Sequence, residues 1–274
     1  KKNLIYEIKR PWPYVKKLFK KKTLNLKNFK YYTSIKEALR DADFVQECAS
    51  ENYTLKTKLM NTIGKYAKHN AIISSSSSGL LPTRIYSKCK NPERAMIGHP
   101  FNPVYMLPAV EIVPGKKTTK KYLNQANKFY KSISMNPIMV KHELPGYLSD
   151  RLQEALWREG LHIISEGHAT TEDLDRAIED GPGLRWSLMG TFLTFHLAGG
   201  KNGMRHMLEQ FGPALKLPWT KLKAPKLSKK LINRLVEGTK KQSKGKSVTK
   251  ISNIRDAYLV ELQKIRKKYE KKLR

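Results

Sequence analysis

The chain has 274 residues and a formal net charge of +31, with 54 lysines and arginines against 23 aspartates and glutamates. This length suffices for one large domain or two ordinary ones, and a hydrophobic share of 39% supports a packed core. No run of about 18 apolar residues is present, so we expect no membrane span. The start of the sequence lacks the apolar core of a signal peptide. Two cysteines, Cys48 and Cys89, exclude a disulfide scaffold and favour a cytoplasmic protein.

The positive charge favours either polyanion binding or a surface on which lysine simply occupies solvent-facing positions. The lysines are scattered along the chain, and the short runs do not alternate with aromatic residues; these runs are Lys20–Lys22, Lys229–Lys230 and Lys271–Lys272. We therefore predict no specific nucleic-acid site and only weak, non-specific polyanion binding.

Short apolar runs alternate with helical patterns in the first half of the chain. Ser34 is placed to cap a helix that runs to Leu39, and residues 55–66 have amphipathic helical spacing. The predicted strands cover residues 44–49, 71–74, 95–98, 110–113 and 137–140. This alternation predicts a Rossmann-like, doubly wound parallel sheet, in which ligands bind beyond the carboxyl ends of the strands.

The pattern changes near Pro145-Gly146, after which apolar residues recur at helical spacing. Thr170 and Asp173 form a capping-box pattern at the start of one of these helices. The predicted helices cover residues 148–166, 170–180 and 251–272. We therefore predict an α/β domain over residues 1–142 and an all-helical domain over residues 143–274.

Three polar residues, Ser78, His99 and Asn102, follow predicted strands, and a fourth, Glu111, lies on the next predicted strand. A histidine beside a carboxylate can act as a base near neutral pH, and a nearby hydroxyl can hold a substrate oxygen. A lone histidine is usually structural, but a carboxylate on a following strand would orient its ring. The spacing thus favours a site that removes a proton from an alcohol, without excluding a structural pair.

These residues belong to longer motifs that carry a family resemblance. The motifs up to residue 151 are Ser78-Gly-Leu, His99-Pro-Phe-Asn-Pro, Glu111 and Pro145-Gly-Tyr-Leu-Ser-Asp-Arg151. They resemble the 3-hydroxyacyl-CoA dehydrogenase superfamily. Second-half motifs are similar to the L-carnitine 3-dehydrogenases of that superfamily, among them Glu154-Ala-Leu-Trp-Arg158, Arg185-Trp-Ser-Leu-Met-Gly190 and Leu217-Pro-Trp-Thr-Lys221.

The resemblance implies a homodimeric enzyme that oxidises the 3-hydroxyl of L-carnitine with NAD and gives 3-dehydrocarnitine. On matching positions, His99 would be the general base, Glu111 its orienting partner, and Ser78 a hydrogen-bond donor to the substrate oxygen. The alternatives are a dehydrogenase for L-gulonate or 3-hydroxybutyryl-CoA, and an inactive, truncated paralogue.

The resemblance also implies an NAD site. Asn102 and Ser78 would lie near the nicotinamide end, and Glu51 and Lys56 match positions that approach the cofactor, although an ordinary exposed helix start is the alternative. The superfamily begins with a strand and a Gly-x-Gly-x-x-Gly turn, whereas no glycine precedes Gly64 here. We therefore expect a first βαβ turn missing from an N-terminally truncated domain, and weak NAD binding. No metal site is predicted.

Carnitine carries a quaternary ammonium, which suits aromatic surfaces, and a carboxylate, which suits arginine. The candidate substrate residues are Tyr147, Asp150, Arg185, Trp186, Phe192 and Trp219, with Phe195 and Arg205 as further candidates. Core packing for the aromatic residues and surface ion pairs for the arginines are the alternatives. Asp150 stands where the hydroxyacyl-CoA enzymes carry asparagine, which disfavours acyl-CoA substrates.

Overall fold

The computed structural model describes residues 2–19, 23–221, 228–242, 244 and 246–273, so Lys20–Lys22 lie outside the described residues. The chain divides into two compact units, unit 1 (Lys1–Gln153) and unit 2 (Glu154–Arg274). Among the described residues, none of the helices combines the length and the apolar character that crossing a membrane requires.

Unit 1 contains a five-stranded sheet in the order β1-β2-β3-β4-β5. The strands are β1 (Phe44–Glu47), β2 (Ile72–Ser75), β3 (Ala95–Pro100), β4 (Ala109–Pro114) and β5 (Asn136–Met139). Three pairings are parallel, as predicted, but β3 and β4 are antiparallel. Only residues 101–108 join these two strands. A parallel crossover needs about a dozen residues or more, so the short connection dictates the antiparallel pairing.

The helices of unit 1 follow the sequence signals closely. They are α1 (Lys2–Lys9), α2 (Trp12–Phe19), α3 (Ile35–Leu39), α4 (Tyr53–Tyr66), α5 (Pro82–Ile85) and α6 (Lys120–Ser132), with a 3-10 turn at Pro92–Arg94. The Ser34 hydroxyl accepts a hydrogen bond from the Glu37 amide and caps α3, as predicted. Asn52 caps α4 in the same way through the amide of Leu55.

Both faces of the sheet are buried, because successive strand residues point to opposite sides. Ile73 and Ile97 belong to one apolar cluster with side chains of α4 and α5. Ile72 and Met96, their neighbours in sequence, belong to a second cluster with side chains of α6. Helices therefore cover both faces, which confirms the doubly wound Rossmann-like prediction.

The described part of unit 2 is helical, as predicted. The helices are α7 (Ser149–Glu166), which begins before the boundary between the units, α8 (Thr171–Glu179), α9 (Pro182–Trp186), α10 (Thr191–Ala198), α11 (Gly203–Phe211), α12 (Lys229–Gln242) and α13 (Val248–Leu273), with 3-10 turns at Gly200–Asn202 and Gly212–Lys216. The capping box forms as predicted, since Thr170 and Asp173 exchange side-chain-to-backbone hydrogen bonds of 3.1 Å.

Candidate active site

His99 and Glu111 are cross-strand partners in the antiparallel β3/β4 pair. The His99 Nδ1 atom lies 3.0 Å from Glu111 Oε2. His99 is 5% exposed and Glu111 is fully buried. The sheet thus brings together the two residues that the sequence pattern predicted to lie side by side, in an environment that excludes most water.

The second carboxylate oxygen of Glu111 is also bound. Oε1 accepts hydrogen bonds from the backbone amides of Leu148 (2.9 Å) and Ser149 (3.0 Å), where α7 begins and the helix dipole favours an anion. Burial raises the pKa of Glu111, but the hydrogen bonds from His99 and the two amides outweigh it and hold the pKa below its ordinary value.

Glu111 is therefore ionised near neutral pH, and this fixes the tautomer of His99. An ionised carboxylate can only accept hydrogen bonds, so Nδ1 must carry the hydrogen that Glu111 receives. In the neutral ring, Nε2 then has a lone pair that can accept a proton. The pair therefore presents an unprotonated nitrogen, Nε2, as a general base requires.

Among the described residues, the side chains of Asp150, Phe101 and Tyr147 also lie near the His99 ring. Asp150 Oδ2 lies 3.8 Å from Nε2, which is longer than a hydrogen bond. The rings of Phe101 and Tyr147 meet the imidazole edge to face, with centroids 5.8 and 5.7 Å away. The Nε2 side of the ring therefore has a carboxylate within ion-pair distance.

Tyr147 connects His99 with the serine-rich loop that follows β2. The residue is fully buried and has a left-handed backbone (φ 43°), and its hydroxyl donates to the Leu80 carbonyl at 2.7 Å. Burial raises the pKa of Tyr147 well above its ordinary value, so the phenol stays neutral. The ring of Tyr147, and not its hydroxyl, is the part that meets His99.

The serine-rich loop is shaped by Glu51. Its Oε1 atom accepts hydrogen bonds from the Ser77 hydroxyl (2.5 Å) and from the amides of Ser78 (3.0 Å) and Gly79 (3.2 Å). Burial raises the pKa of Glu51, but these bonds and the nearby Lys56 ammonium lower it overall. The Ser78 residue itself is exposed.

The loop and His99 lie at the same edge of the sheet. Ser75 at the end of β2 pairs with Ile97 in the parallel β2/β3 ladder, and His99 follows two residues later. This is the carboxyl edge, where open α/β sheets bind their ligands.

Lys56 is enclosed beneath this loop. Its side chain is 1% exposed, and the ammonium donates to both oxygens of Glu47 (3.1 Å each) and to the Ala49 carbonyl (2.9 Å), while Glu51 lies 3.6 Å away. Glu47 also accepts a hydrogen bond from the Ser75 hydroxyl at 2.6 Å. Glu47 is not among the residues predicted from the sequence, although a carboxylate inside an apolar strand is a signal that could have revealed it.

The remaining predicted residues lie at the surface of their units. Asn102 is exposed in the loop after β3, and its peptide bond to Pro103 is cis. The unit 2 candidates are exposed as well, namely Arg185, Trp186, Phe192, Phe195, Arg205 and Trp219. Within the part of the chain that the structure describes, no cluster of three or more His, Cys, Asp or Glu residues is arranged to hold a metal ion.

The exposed side chains at the carboxyl edge are better placed to bind a dinucleotide than the enclosed Lys56 ammonium. The Ser78 and Asn102 residues are open to solvent, and the Glu51 side chain is 42% exposed, so each can reach a ligand. The Lys56 ammonium is instead satisfied inside the protein.

Comparison with known proteins shows that both units match domains of the same protein family. Residues 13–143 match the NAD-binding domain of 3-hydroxyacyl-CoA dehydrogenase, and residues 146–246 match its C-terminal domain. An L-carnitine dehydrogenase from Bacillus cereus is 48% identical over 262 residues, covering 96% of this chain and 80% of the relative. One from Burkholderia mallei is 51% identical over 232 residues, covering 85% and 72%.

The fold has counterparts among solved structures. The crystal structure of 5-formyl-3-hydroxy-2-methylpyridine 4-carboxylic acid 5-dehydrogenase, described as an NAD-dependent dismutase, superimposes with a TM-score of 0.72. The match covers 87% of this chain and 77% of the other at 22% sequence identity. At that identity the likeness shows a shared fold.

Proposed function

The chain belongs to the 3-hydroxyacyl-CoA dehydrogenase family, and from this premise we propose that it oxidises the 3-hydroxyl of L-carnitine with NAD to give 3-dehydrocarnitine and NADH. The observation that carries the chemistry is the buried His99–Glu111 pair, whose geometry leaves Nε2 to accept a proton. The substrate assignment follows the relatives named L-carnitine dehydrogenase, at 48% and 51% identity.

In the proposed reaction, His99 Nε2 takes the proton of the substrate hydroxyl as the carbon–oxygen single bond becomes a carbonyl. NAD would be held at its nicotinamide end by Asn102, and it would supply the acceptor for the hydride of C3. Glu111 stays anionic and stabilises the protonated ring through its bond to Nδ1. Its second oxygen is held by the amides of Leu148 and Ser149, which fixes the direction of the imidazole.

The other site residues have supporting functions in this proposal. The Ser78 hydroxyl would donate to the substrate oxygen, Asn102 would help hold the nicotinamide end of the cofactor, and Glu51 would approach the cofactor. Lys56 acts through Glu51, because its ammonium is enclosed with Glu47. The substrate residues predicted on unit 2 stay predictions: the aromatic residues Trp186, Phe192, Phe195 and Trp219 for the ammonium, and Arg185 or Arg205 for the carboxylate.

The test is NADH formation by the full-length protein with L-carnitine, L-gulonate and 3-hydroxybutyryl-CoA, each at equal concentration. We expect a kcat/KM for L-carnitine at least 100-fold above that for the other two, a difference on the order of 3 kcal/mol in transition-state binding. Preference for either alternative would replace carnitine as the substrate, and activity on none of the three would refute the enzyme assignment.

We further propose a cytoplasmic homodimer. Cys48 and Cys89 are both free thiols, which suits a reducing compartment. Large apolar side chains are exposed on unit 2, including Phe192 (82%) and Leu215 (84%), and such surfaces are commonly covered by a partner subunit. Light scattering on the purified protein should give twice the chain mass, whereas a monomer at micromolar concentration would contradict the proposal.

A further inference from the structure

We propose that Asp150 selects the quaternary ammonium group of the substrate, by placing a negative charge beside the reacting hydroxyl. This inference rests on the proposed function and deepens it, because it names the residue that distinguishes a 3-hydroxy acid with a quaternary ammonium from 3-hydroxy acids without one. Asp150 acts here as a specificity-determining residue, and His99 remains the base.

The position of Asp150 follows from the tautomer of His99. Glu111 occupies Nδ1, so the substrate hydroxyl must approach Nε2. Asp150 Oδ2 lies 3.8 Å from that nitrogen, on the side where the hydroxyl arrives. A hydroxyl within hydrogen-bond distance of Nε2 therefore has the carboxylate as a close neighbour.

Asp150 is close to His99 but does not orient its ring. The distance of 3.8 Å exceeds hydrogen-bond length, and Glu111 already orients the ring through Nδ1. The Asp150 side chain is 34% exposed, so a ligand can reach it, whereas Glu111 is fully buried. One carboxylate is thus enclosed against the ring, and the other is partly exposed near Nε2.

The charge pattern of carnitine matches this arrangement. Its quaternary nitrogen is bonded to the carbon next to the carbinol carbon, so the cation lies close to the reacting hydroxyl. A quaternary ammonium has no N–H to donate, and it is recognised through charge and aromatic faces. Asp150 supplies the charge, and Phe101 and Tyr147 place aromatic rings beside the same imidazole.

The same carboxylate disfavours other substrates. A second negative group near the hydroxyl would be repelled, and a neutral group would gain nothing from Asp150. For unit charges about 5 Å apart in a partly solvated site, removal of the carboxylate should change relative affinity about 10- to 100-fold.

The experiment compares two substrates of the same shape in three forms of the full-length protein. The substrates are L-carnitine and its carbon isostere without the positive charge, the matching enantiomer of 3-hydroxy-5,5-dimethylhexanoate, in which a quaternary carbon replaces the ammonium nitrogen. The proteins are the unmodified enzyme, Asp150→Asn, which keeps the shape and removes the charge, and Asp150→Glu, which keeps the charge. The readout is the ratio of the kcat/KM values for the two substrates.

We expect Asp150→Asn to lower this ratio at least 10-fold, mainly through a higher KM for L-carnitine, and Asp150→Glu to keep it within about threefold of the unmodified value. Equal losses on both substrates in Asp150→Asn would overturn the inference, since a general effect on the fold or on His99 leaves the ratio unchanged. If the Asp150→Asn protein does not fold, Asp150→Ser is measured in its place, with the same ratio as the readout. Absence of L-carnitine turnover in the unmodified protein would instead refute the proposed function, and this inference with it.

Discussion

Two buried pairs of a basic and an acidic side chain lie at the carboxyl edge of the same sheet. They differ in how many hydrogen-bonding positions of the basic group are occupied by the protein itself. In the Lys56–Glu47 pair, the ammonium donates to both carboxylate oxygens and to the Ala49 carbonyl. In the His99–Glu111 pair, only Nδ1 is bound by the carboxylate. The first pair therefore holds structure together, whereas the second leaves a nitrogen for chemistry.

The comparison shows why burial and charge alone do not identify a catalytic group. Lys56 is 1% exposed and His99 is 5% exposed, so both belong to the interior. The two side chains differ in how many of their hydrogen-bonding positions have a partner within the protein. Lysine presents three donors from one atom, whereas histidine has two separate nitrogens that can be assigned to different partners.

The largest expected effect comes from His99→Gln. The amide keeps a hydrogen-bonding group of similar size but cannot accept a proton at neutral pH, so we expect kcat for the favoured substrate to fall about 10⁴-fold. NADH binding, followed by fluorescence titration, should stay within about threefold of the unmodified protein. If the variant kept most of its rate, His99 would not be the general base.

A smaller loss is expected from Glu111→Gln. The amide can donate to Nδ1 and so favours the opposite tautomer, with the lone pair directed away from the substrate. We expect kcat to fall about 10³-fold, with Asp173→Asn on unit 2 as a control that leaves kcat unchanged. Equal rates in Glu111→Gln and the unmodified protein would show that Glu111 does not orient the ring.

For the structural pair, Lys56→Met should lower the free energy of unfolding by about 3 kcal/mol, because Glu47 would be left as a buried, unpaired charge. Urea denaturation measures this loss. Lys58→Met, at an exposed position on the same helix, is the matched control and should change stability by less than about 0.5 kcal/mol. Similar stabilities for the two variants would contradict the structural function of Lys56.

The smallest expected effect is on the acid stability of the fold. Because the folded-state pKa of Glu111 lies below its ordinary value of 4.5, the unfolded chain binds a proton there at a higher pH than the folded chain does. The contribution of Glu111 is therefore present above pH 4.5 and is lost as the pH falls through the lower folded value. Urea midpoints measured between about pH 6 and pH 3 should decrease, and less steeply for Glu111→Gln. Parallel slopes would contradict the pKa direction.

Much of this picture was accessible from the sequence. The positions of the strands, the caps at Ser34 and Thr170, and the adjacency of His99 and Glu111 follow from local patterns of polarity and capping residues. The direction of β4 was not anticipated, although the short connection of residues 101–108 contained the information.

Other features depend on contacts that no local pattern encodes. Glu47 and Lys56 meet because β1 and α4 pack together, and only then does the lysine become enclosed. The approach of Asp150 to Nε2 requires the start of α7 to lie against β4, where Glu111 binds the amides of Leu148 and Ser149. Such arrangements are set by tertiary packing and not by residue type.

The most direct test of the difference between the two pairs is the tautomer of the His99 ring, observed by long-range ¹⁵N–¹H correlation NMR of the histidine side chains, with His99→Gln to assign its signals. At a pH where the ring is neutral, we predict that Nδ1 carries the hydrogen and that Nε2 has the chemical shift of an unprotonated, pyridine-like nitrogen. A hydrogen on Nε2 of the neutral ring would contradict the account, because the lone pair would then point at Glu111 and not at the substrate.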